Sequence, residues 1–390
     1  MTLSIIGPND PALDVLQSAL AERPDLDAKL TIIPWPEYRE ALMATLTAVS
    51  APNQAVFVPG HIWLPEFAAA GYLAEIAPLM ESVSAELLAS YDPDDIVLSI
   101  ADECEYEGKQ YQLPFFSDGH ILFYRADLID LDESDGVPVV STRDLKELAQ
   151  ATSTGSAHSV HNPPHTYGLA LKADASEIFT DFLPYLWEAG GRIFDENGRP
   201  DIDNPVNIEV LELYCSLREL CPPQTAVYGN GEIADVLRNG EAALVANWGG
   251  QTAPIMLDEG WSGAYKTAVF PIPWNATWGI AIPRNQSAAS QQNAIAALMQ
   301  LLGTEQDKQI TRMAGSPVRQ SSYAPAELQK YPWLAAQLEM LNRAKPLPAR
   351  PELGSFLGLL YEATHQAFMG KLSPAEALAN VQVKALEALA

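Results

Sequence analysis

The sequence predicts an α/β protein built on a parallel sheet covered by helices. In the first ~80 residues, short apolar runs alternate with amphipathic stretches in the order strand, helix, strand, helix, strand. Each predicted strand leaves through a turn rich in Gly or Pro. At 390 residues, with 48% hydrophobic and 19% charged residues, the chain is long enough and apolar enough for two domains, each with its own core.

The elements follow in order. "LSII" (3–6) is a strand, and Asp10 before Pro11 starts a helix, a capping oxygen followed by a residue with no N–H to leave unpaired. "ALDVLQSALAE" continues that helix with apolar residues at 13, 16 and 20. "KLTIIP" (29–34) is the second strand; Pro36 opens a helix whose stripe is Tyr38, Leu42, Leu46 and Val49. "AVFV" (55–58) is the third strand, and "IWLPEFAAAGYL" a short helix closed by Gly71. Later strand signals are the apolar run after Asp118, "TYGLAL" (166–171), "EAALVANW" (241–248) and "ATWGIAIP" (276–283). A helix beginning at the Asn204 cap and Pro205 presents Val206, Val210, Leu213 and Leu217. Helical stretches are expected over 287–303, 305–314, 324–343 and 353–390, and 130–165 reads as surface loops plus the helix "TRDLKELAQAT".

Charge excludes some partners. With 23 basic against 50 acidic residues, a net charge of −27, the chain lacks the clustered Lys and Arg that nucleic acid or an anionic membrane surface requires. No apolar run of ~18 residues is present. "MTLSIIGPND" lacks the basic and apolar regions of a secretory leader; an exported protein is then expected to have lost its leader, with Met1 a cloning start. Of three cysteines, Cys215 and Cys221 lie close in sequence, so either a disulfide or buried thiols fits them, and Cys104 has no evident partner.

Catalytic and metal signatures are weak. No phosphate loop, His-Glu-x-x-His or Gly-x-Ser-x-Gly occurs. "DLIDLDESDG" misses the calcium-loop spacing by one residue and reads as a solvated acidic turn. "HSVHNPPH" gathers His158, His161 and His165 in a Pro-rich loop without a Cys or acidic fourth ligand. No metal or cofactor is expected, and no pair of acids stands out for glycoside chemistry.

Aromatic residues beside polar ones in loops do stand out. In a parallel sheet, ligands gather beyond the carboxyl ends of the strands. The predicted exits are "GPND", "PWPEY" and "PGHIW", carrying Asn9, Asp10, Trp35, His61 and Trp63. "NWGGQ" places Trp248 and Gly249 after another strand, and "PWNATWG" holds Asn275 and Trp278. An aromatic face covers the apolar side of a sugar ring while polar side chains pair with its hydroxyls, so the expected partner is a small-molecule carbohydrate.

The order of motifs resembles the extracellular solute-binding protein family 1, the maltose-binding-protein-like components of ABC importers. "PWPEYREALMATL", "AVFVPGHIWLPEFAAAGYLAEI", "YEGKQYQLPFFSDGHILFYRADLI", "WEAGGRIFDENGRPDIDNPVNIEVLE", "LRNGEAALVANW", "GSPVR" and "LSPAEAL" are similar to that family's segments, in its order and over nearly the whole chain. There are departures: "APNQAVFV" where the family has Ala-Pro-Asp, Arg125 after Tyr124 where it has Asn, and "TRDL" without a Trp.

The resemblance implies a two-lobe periplasmic-binding-protein fold (type II-like), each lobe a sheet flanked by helices, with the ligand in a cleft between them. The lobes are expected at 1–113 plus 283–318 and at 117–280 plus 322–390, with hinge crossings near 113–117, 280–285 and 316–322. It implies capture of a mono- or oligosaccharide, sugar derivative or polyol without catalysis, and delivery to membrane permease subunits. The protein is then a monomer in the periplasm or outside the cell, free or lipid-anchored. The alternatives are a secreted carbohydrate-active enzyme, a binder of a non-sugar solute, or a component feeding a sensor. Carried over by position, Asp118 is the acid at the crossing, preceded by Phe116; Trp248 is the stacking aromatic; Gly190 and Gly191 form a turn near the ligand. His61 and Trp63 lie in a ligand-contacting loop, and Trp35, Asn275, Trp278 and Arg319 are further candidates.

Overall fold

The computed structural model describes residues 2–50, 53–153, 167–259 and 263–389. The chain divides into two compact units: unit 1 is Met1–Asp118, Ala276–Leu334 and Pro346–Pro351, and unit 2 is Gly119–Asn275, Ala335–Lys345 and Glu352–Ala390. The strand at 112–125 supplies residues to both. The expected crossings near 280–285 and 316–322 lie within unit 1.

Unit 1 begins β1 (Leu3–Pro8), α1 (Pro11–Glu22), β2 (Ala28–Ile33), α2 (Trp35–Thr47), β3 (Gln54–Pro59) and α3 (Gly60–Ala69). Three short helices follow, α4 (Ile76–Met80), α5 (Ala85–Tyr91) and α6 (Leu98–Glu103), then the small hairpin β4 (Glu105–Tyr106) and β5 (Lys109–Gln110), and β6 (Gln112–Arg125). In unit 2 come α7 (Thr142–Thr152), β7 (Tyr167–Ala170), α8 (Ile178–Glu188), α9 (Pro205–Ser216), α10 (Asn230–Asn239), β8 (Ala242–Trp248), α11 (Thr252–Met256) and β9 (Tyr265–Ala268). β10 (Asn275–Ala281), α12 (Ala288–Leu301), α13 (Thr304–Met313) and α14 (Pro325–Lys330) return to unit 1; α15 (Trp333–Arg343), α16 (Leu353–Phe368) and α17 (Pro374–Ala388) complete unit 2.

In unit 1, β1 pairs in parallel with β2 on one side and β3 on the other, so the sequence order of strands and helices does make a parallel sheet. β10 runs antiparallel against β3. Leu13, Val15 and Leu16 of α1, Tyr38, Leu42 and Leu46 of α2, and Val56, Phe57 and Val58 of β3 meet in one core. In unit 2, β7 and β8 are parallel, and β6 runs antiparallel to both β8 and β9.

Several elements differ from the sequence reading for local reasons. α2 ends at Thr47, so Val49 is fully exposed instead of continuing the stripe. α9 buries Asn207, Val210, Leu211 and Tyr214, with Leu217 buried just past its end; Val210 and Leu217 follow the expected stripe, while the polar Asn207 joins the buried face, Leu213 is half-buried and Val206 is exposed. The cause is Asn207, whose side-chain Oδ1 accepts the Arg192 N–H at 3.1 Å and whose amide donates to Arg192 and Ile202 carbonyls at 2.7 and 3.0 Å. The run 353–390 is broken by Gly370, at a φ of 70°, and by the Ser373–Glu376 capping box. Cys215 and Cys221 are thiols, and Cys221 Sγ donates to the Leu217 carbonyl, the usual use of a helix-end thiol.

Arg319, in "GSPVR", belongs to the architecture of unit 1. It is 1% exposed, and its guanidinium donates to the Asp92 and Leu302 carbonyls at 2.9 and 2.8 Å and lies over the Tyr91 ring. Asp307 holds the same segment by accepting from Val318 N, Arg319 N and Ser322 Oγ at 2.8, 3.1 and 2.6 Å. These bonds engage the guanidinium that the family resemblance offered to ligand. Burial pushes the Asp307 carboxyl up to about 6. A folded-state value above the ordinary one means that ionisation opposes folding. This cost is absent below the unfolded value near 3.8 and complete above about 6. Arg319→Ala is expected to cost roughly 2–5 kcal/mol in urea denaturation, because it empties a large buried volume and leaves the Asp92 and Leu302 carbonyls without their donor, with ligand affinity of the folded protein unchanged. Asp307→Asn is expected to flatten the change in stability between pH 4 and pH 6 that the wild type shows.

Candidate functional site

Each unit gathers aromatic and polar residues at the carboxyl ends of its parallel strands. In unit 1 these ends carry Asn9, Asp10, Trp35, His61 and Trp63, as the sequence predicts, but the residues do different things. Asn9 is exposed, while Asp10 caps α1 by accepting from Ala12 N at 2.8 Å. Trp35 and Trp63 stack with centroids 5.3 Å apart and planes within 9°. Trp278 stands edge-on to Trp35 at 5.8 Å, and on its other side stacks on the buried Phe116 at 5.7 Å and 5°. Trp63 and Trp278 are 7% and 8% exposed, so Trp35, half-buried, is the ring of this cluster with most surface to offer. The Arg39 guanidinium covers Trp63 at 5.3 Å and pairs with Glu66.

His61 lies beside this cluster in sequence but is engaged elsewhere within unit 1. Its Nδ1 is 3.1 Å from the Leu347 carbonyl and its Nε2 3.3 Å from the Glu105 carbonyl. Burial lowers its affinity for a proton, and a neutral imidazole donates to one of the two. Asp118, the last residue of unit 1, is half-buried in the middle of β6 and not in a turn.

In unit 2, β8 ends at Trp248, and Lys172 comes two residues after the end of β7. Because the strands are parallel, both residues leave from the same sheet edge. Trp248 is 5% exposed, and its indole Nε1–H donates to Glu177 Oε2 at 2.6 Å. The Lys172 ammonium, fully buried, lies 4.1 Å from the Trp248 ring centroid. It donates to Asn230 Oδ1 at 2.6 Å and stands 3.5 Å from Glu177 Oε2. Burial raises the Glu177 carboxyl above its ordinary range, and Lys172 and the indole N–H work against that rise. About 20% of the Glu177 side chain remains exposed.

A second buried layer supports Trp248. His120, opposite it across the β6–β8 pair, turns its ring edge onto the indole at 4.4 Å. His120 Nε2 is 3.7 Å from Asp181 Oδ1, and the Tyr214 hydroxyl donates to Asp181 Oδ2 at 2.8 Å. Burial lowers the His120 pKa, so the imidazole is neutral at pH 7. Trp274 adds an edge-on contact to Trp248 at 5.5 Å.

The remaining candidates in unit 2 lie in turns and in the core, and Gly190 among them is exposed. Gly249 is buried in the turn after β8, where a side chain would meet the Gln337 amide. Asn275 is 1% exposed. Gly190, at a φ of 75°, closes α8, and Gly191 is buried against Leu186 and Asn207. The acidic turn is held by the chain itself: Asp132 accepts from Ser134 N, and Glu133 from Tyr124 and Lys266. No three metal-ligating side chains come together among the described residues. His158, His161 and His165 lie outside the described residues.

Comparison with known proteins gives this arrangement its class. Residues 8–309 match the model of the bacterial extracellular solute-binding proteins, and the chain belongs to that family. It is a solute-binding protein and not an enzyme. Among curated relatives, the mannitol-binding protein of Pseudomonas aeruginosa is 25% identical over 331 residues, 76% of this chain and 73% of that one. Among solved structures, an ABC transporter solute-binding protein of Agrobacterium radiobacter K84 in complex with ribitol has a TM-score of 0.83 at 23% identity, covering 99% of this chain and 98% of that one. One from Agrobacterium vitis S4 with bound D-mannitol has a TM-score of 0.79 at 21% identity, covering 100% and 98%. The α/β fold is that of the periplasmic binding proteins over the whole chain.

Sequence reasoning singled out Trp248 but missed Lys172, Glu177 and Asn230. The available signal was a lone lysine directly after the apolar run "YGLAL", the same kind of signal that drew attention to Asp118. Trp248→Phe keeps the ring and deletes the N–H. It is expected to cost about 1–3 kcal/mol in urea denaturation, since Glu177 loses a donor in a buried place. A loss below about 0.5 kcal/mol would show that the bond contributes nothing.

Proposed function

We propose that this protein is the extracytoplasmic binding component of an ABC importer, with a small carbohydrate or polyol as its solute. The observation that carries this reading is the unit 2 constellation. An indole, a carboxylate with exposed surface and a buried cation meet beyond the carboxyl ends of two parallel strands. Such a site sets acceptors for hydroxyl groups beside the small part of an indole that is left exposed. Relatives of like fold and nearly equal length that bind ribitol and D-mannitol support the solute class. Trp248 and Glu177 of unit 2 are the proposed contacts, and Asp118 in β6 is a separate candidate that rests on the family resemblance. Membrane permease subunits are the proposed partners of a monomer working in the periplasm or outside the cell, free or lipid-anchored.

A thermal-shift screen over polyols, hexoses, maltooligosaccharides, amino acids and peptides tests the solute class. A polyol or sugar is expected to raise the melting temperature, because a ligand at 100 times its Kd stabilises the native state by about 2.7 kcal/mol. A shift with an amino acid or peptide, and with no carbohydrate, would overturn the proposal. Asp118→Asn is expected to weaken binding of the responding solute; equal affinity in the variant would remove Asp118 as a candidate.

A further inference from the structure

We infer that Lys172 is a positioning residue that holds the Trp248 indole, directly and through Glu177, in the orientation used for binding. The inference rests on the reading of Trp248 as a contact residue and deepens it.

The argument starts from burial. A fully buried ammonium carries a large desolvation cost unless its donors are used. Lys172 uses its donors on Asn230 Oδ1 at 2.6 Å, Glu177 Oε2 at 3.5 Å and the face of Trp248 at 4.1 Å. Glu177 Oε2 in turn accepts the indole N–H at 2.6 Å. The ring is therefore fixed twice by one cation, at its face by the ammonium and at its N–H by the carboxylate. A cation over an indole face also gains energy from the ring quadrupole, most where water is excluded. The lysine follows β7 and the tryptophan ends β8, so the parallel register sets their separation.

The electrostatic setting of Glu177 includes more than Lys172. Asp174 lies on the same loop and opposes its ionisation; the Tyr361 phenol of α16 feels both carboxylates; His120 of β6, against Trp248 and beside Asp181 of α8, feels the Lys172 charge as well. Of the two charged residues named as acting on Glu177, Lys172 favours the carboxylate and Asp174 opposes it. Removing its charge while keeping its stem should let Glu177 hold its proton to higher pH and loosen its grip on the indole N–H.

The test uses the full chain with 15N-labelled tryptophan, with the Trp248 indole N–H resonance assigned by its loss in Trp248→Phe. In Lys172→Met the pH midpoint of that resonance is expected at least one pH unit above the wild-type midpoint. Lys172→Arg should restore the wild-type midpoint. Glu177→Gln, which keeps an oxygen to accept the N–H, should abolish the titration. Ribitol and D-mannitol, added to each variant, should bind Lys172→Met about tenfold more weakly at pH 6 than at pH 8, against a smaller change in the wild type. An unchanged midpoint in Lys172→Met, or a Trp248 resonance that titrates equally in Glu177→Gln, would overturn the inference. If Lys172→Met does not fold, the Arg and Gln variants decide it alone. If neither polyol binds the wild type while the midpoints behave as expected, the pairing stands and the polyol reading fails.

Discussion

Parallel strand pairing governs where the polar and aromatic residues of this protein collect. β1 pairs in parallel with both β2 and β3, and β7 pairs in parallel with β8. Parallel neighbours cannot be joined by a tight hairpin, so each strand is followed by a crossover, here helical after β1 and β2. The carboxyl ends then share one edge of each sheet. A strand core tolerates few polar groups, and the residues just past it escape that restriction. Trp35, Trp63 and Lys172 occupy such places, and Trp248 is the last residue of its strand.

What happens at the edge differs between the units. In unit 1 the rings pack on one another, and the polar residues near them are absorbed by the backbone: Asp10 by a helix end, His61 by two carbonyls. In unit 2 the polar residues are charged and buried around one indole, and their hydrogen bonds run to each other. Side chains that already serve the fold bring little capacity to a ligand. A carboxylate with one oxygen engaged and part of its surface exposed retains some. That contrast favours unit 2 as the place where hydroxyl groups are read.

The sequence made much of this architecture legible. Apolar runs, caps and Pro or Gly exits located β1, α1, β2, β3, β8 and β10, because each depends on local rules. Residue roles were harder to read. Asp118 reads in the sequence as an acid placed just before an apolar strand, yet β6 already runs through it. Arg319 resembles a binding residue, yet the carbonyls that it satisfies come from Asp92 and Leu302, far away in the chain. The stripe of α9 was read in part, with Val210 and Leu217 buried as expected; Val206 is exposed because Asn207, a polar residue, sits on the buried face and caps a neighbouring turn. Lys172 and Glu177 were missed for a related reason: a lysine and a glutamate five residues apart acquire meaning when β8 brings Trp248 to them.

The central claim is that a small polyhydroxyl solute is read at Trp248 and Glu177. Electron density from crystals grown with ribitol or D-mannitol tests it most directly. The account predicts one solute molecule with a hydroxyl within hydrogen-bond distance of Glu177 and its carbon chain against the Trp248 ring. Density for the solute bound away from both residues would contradict it.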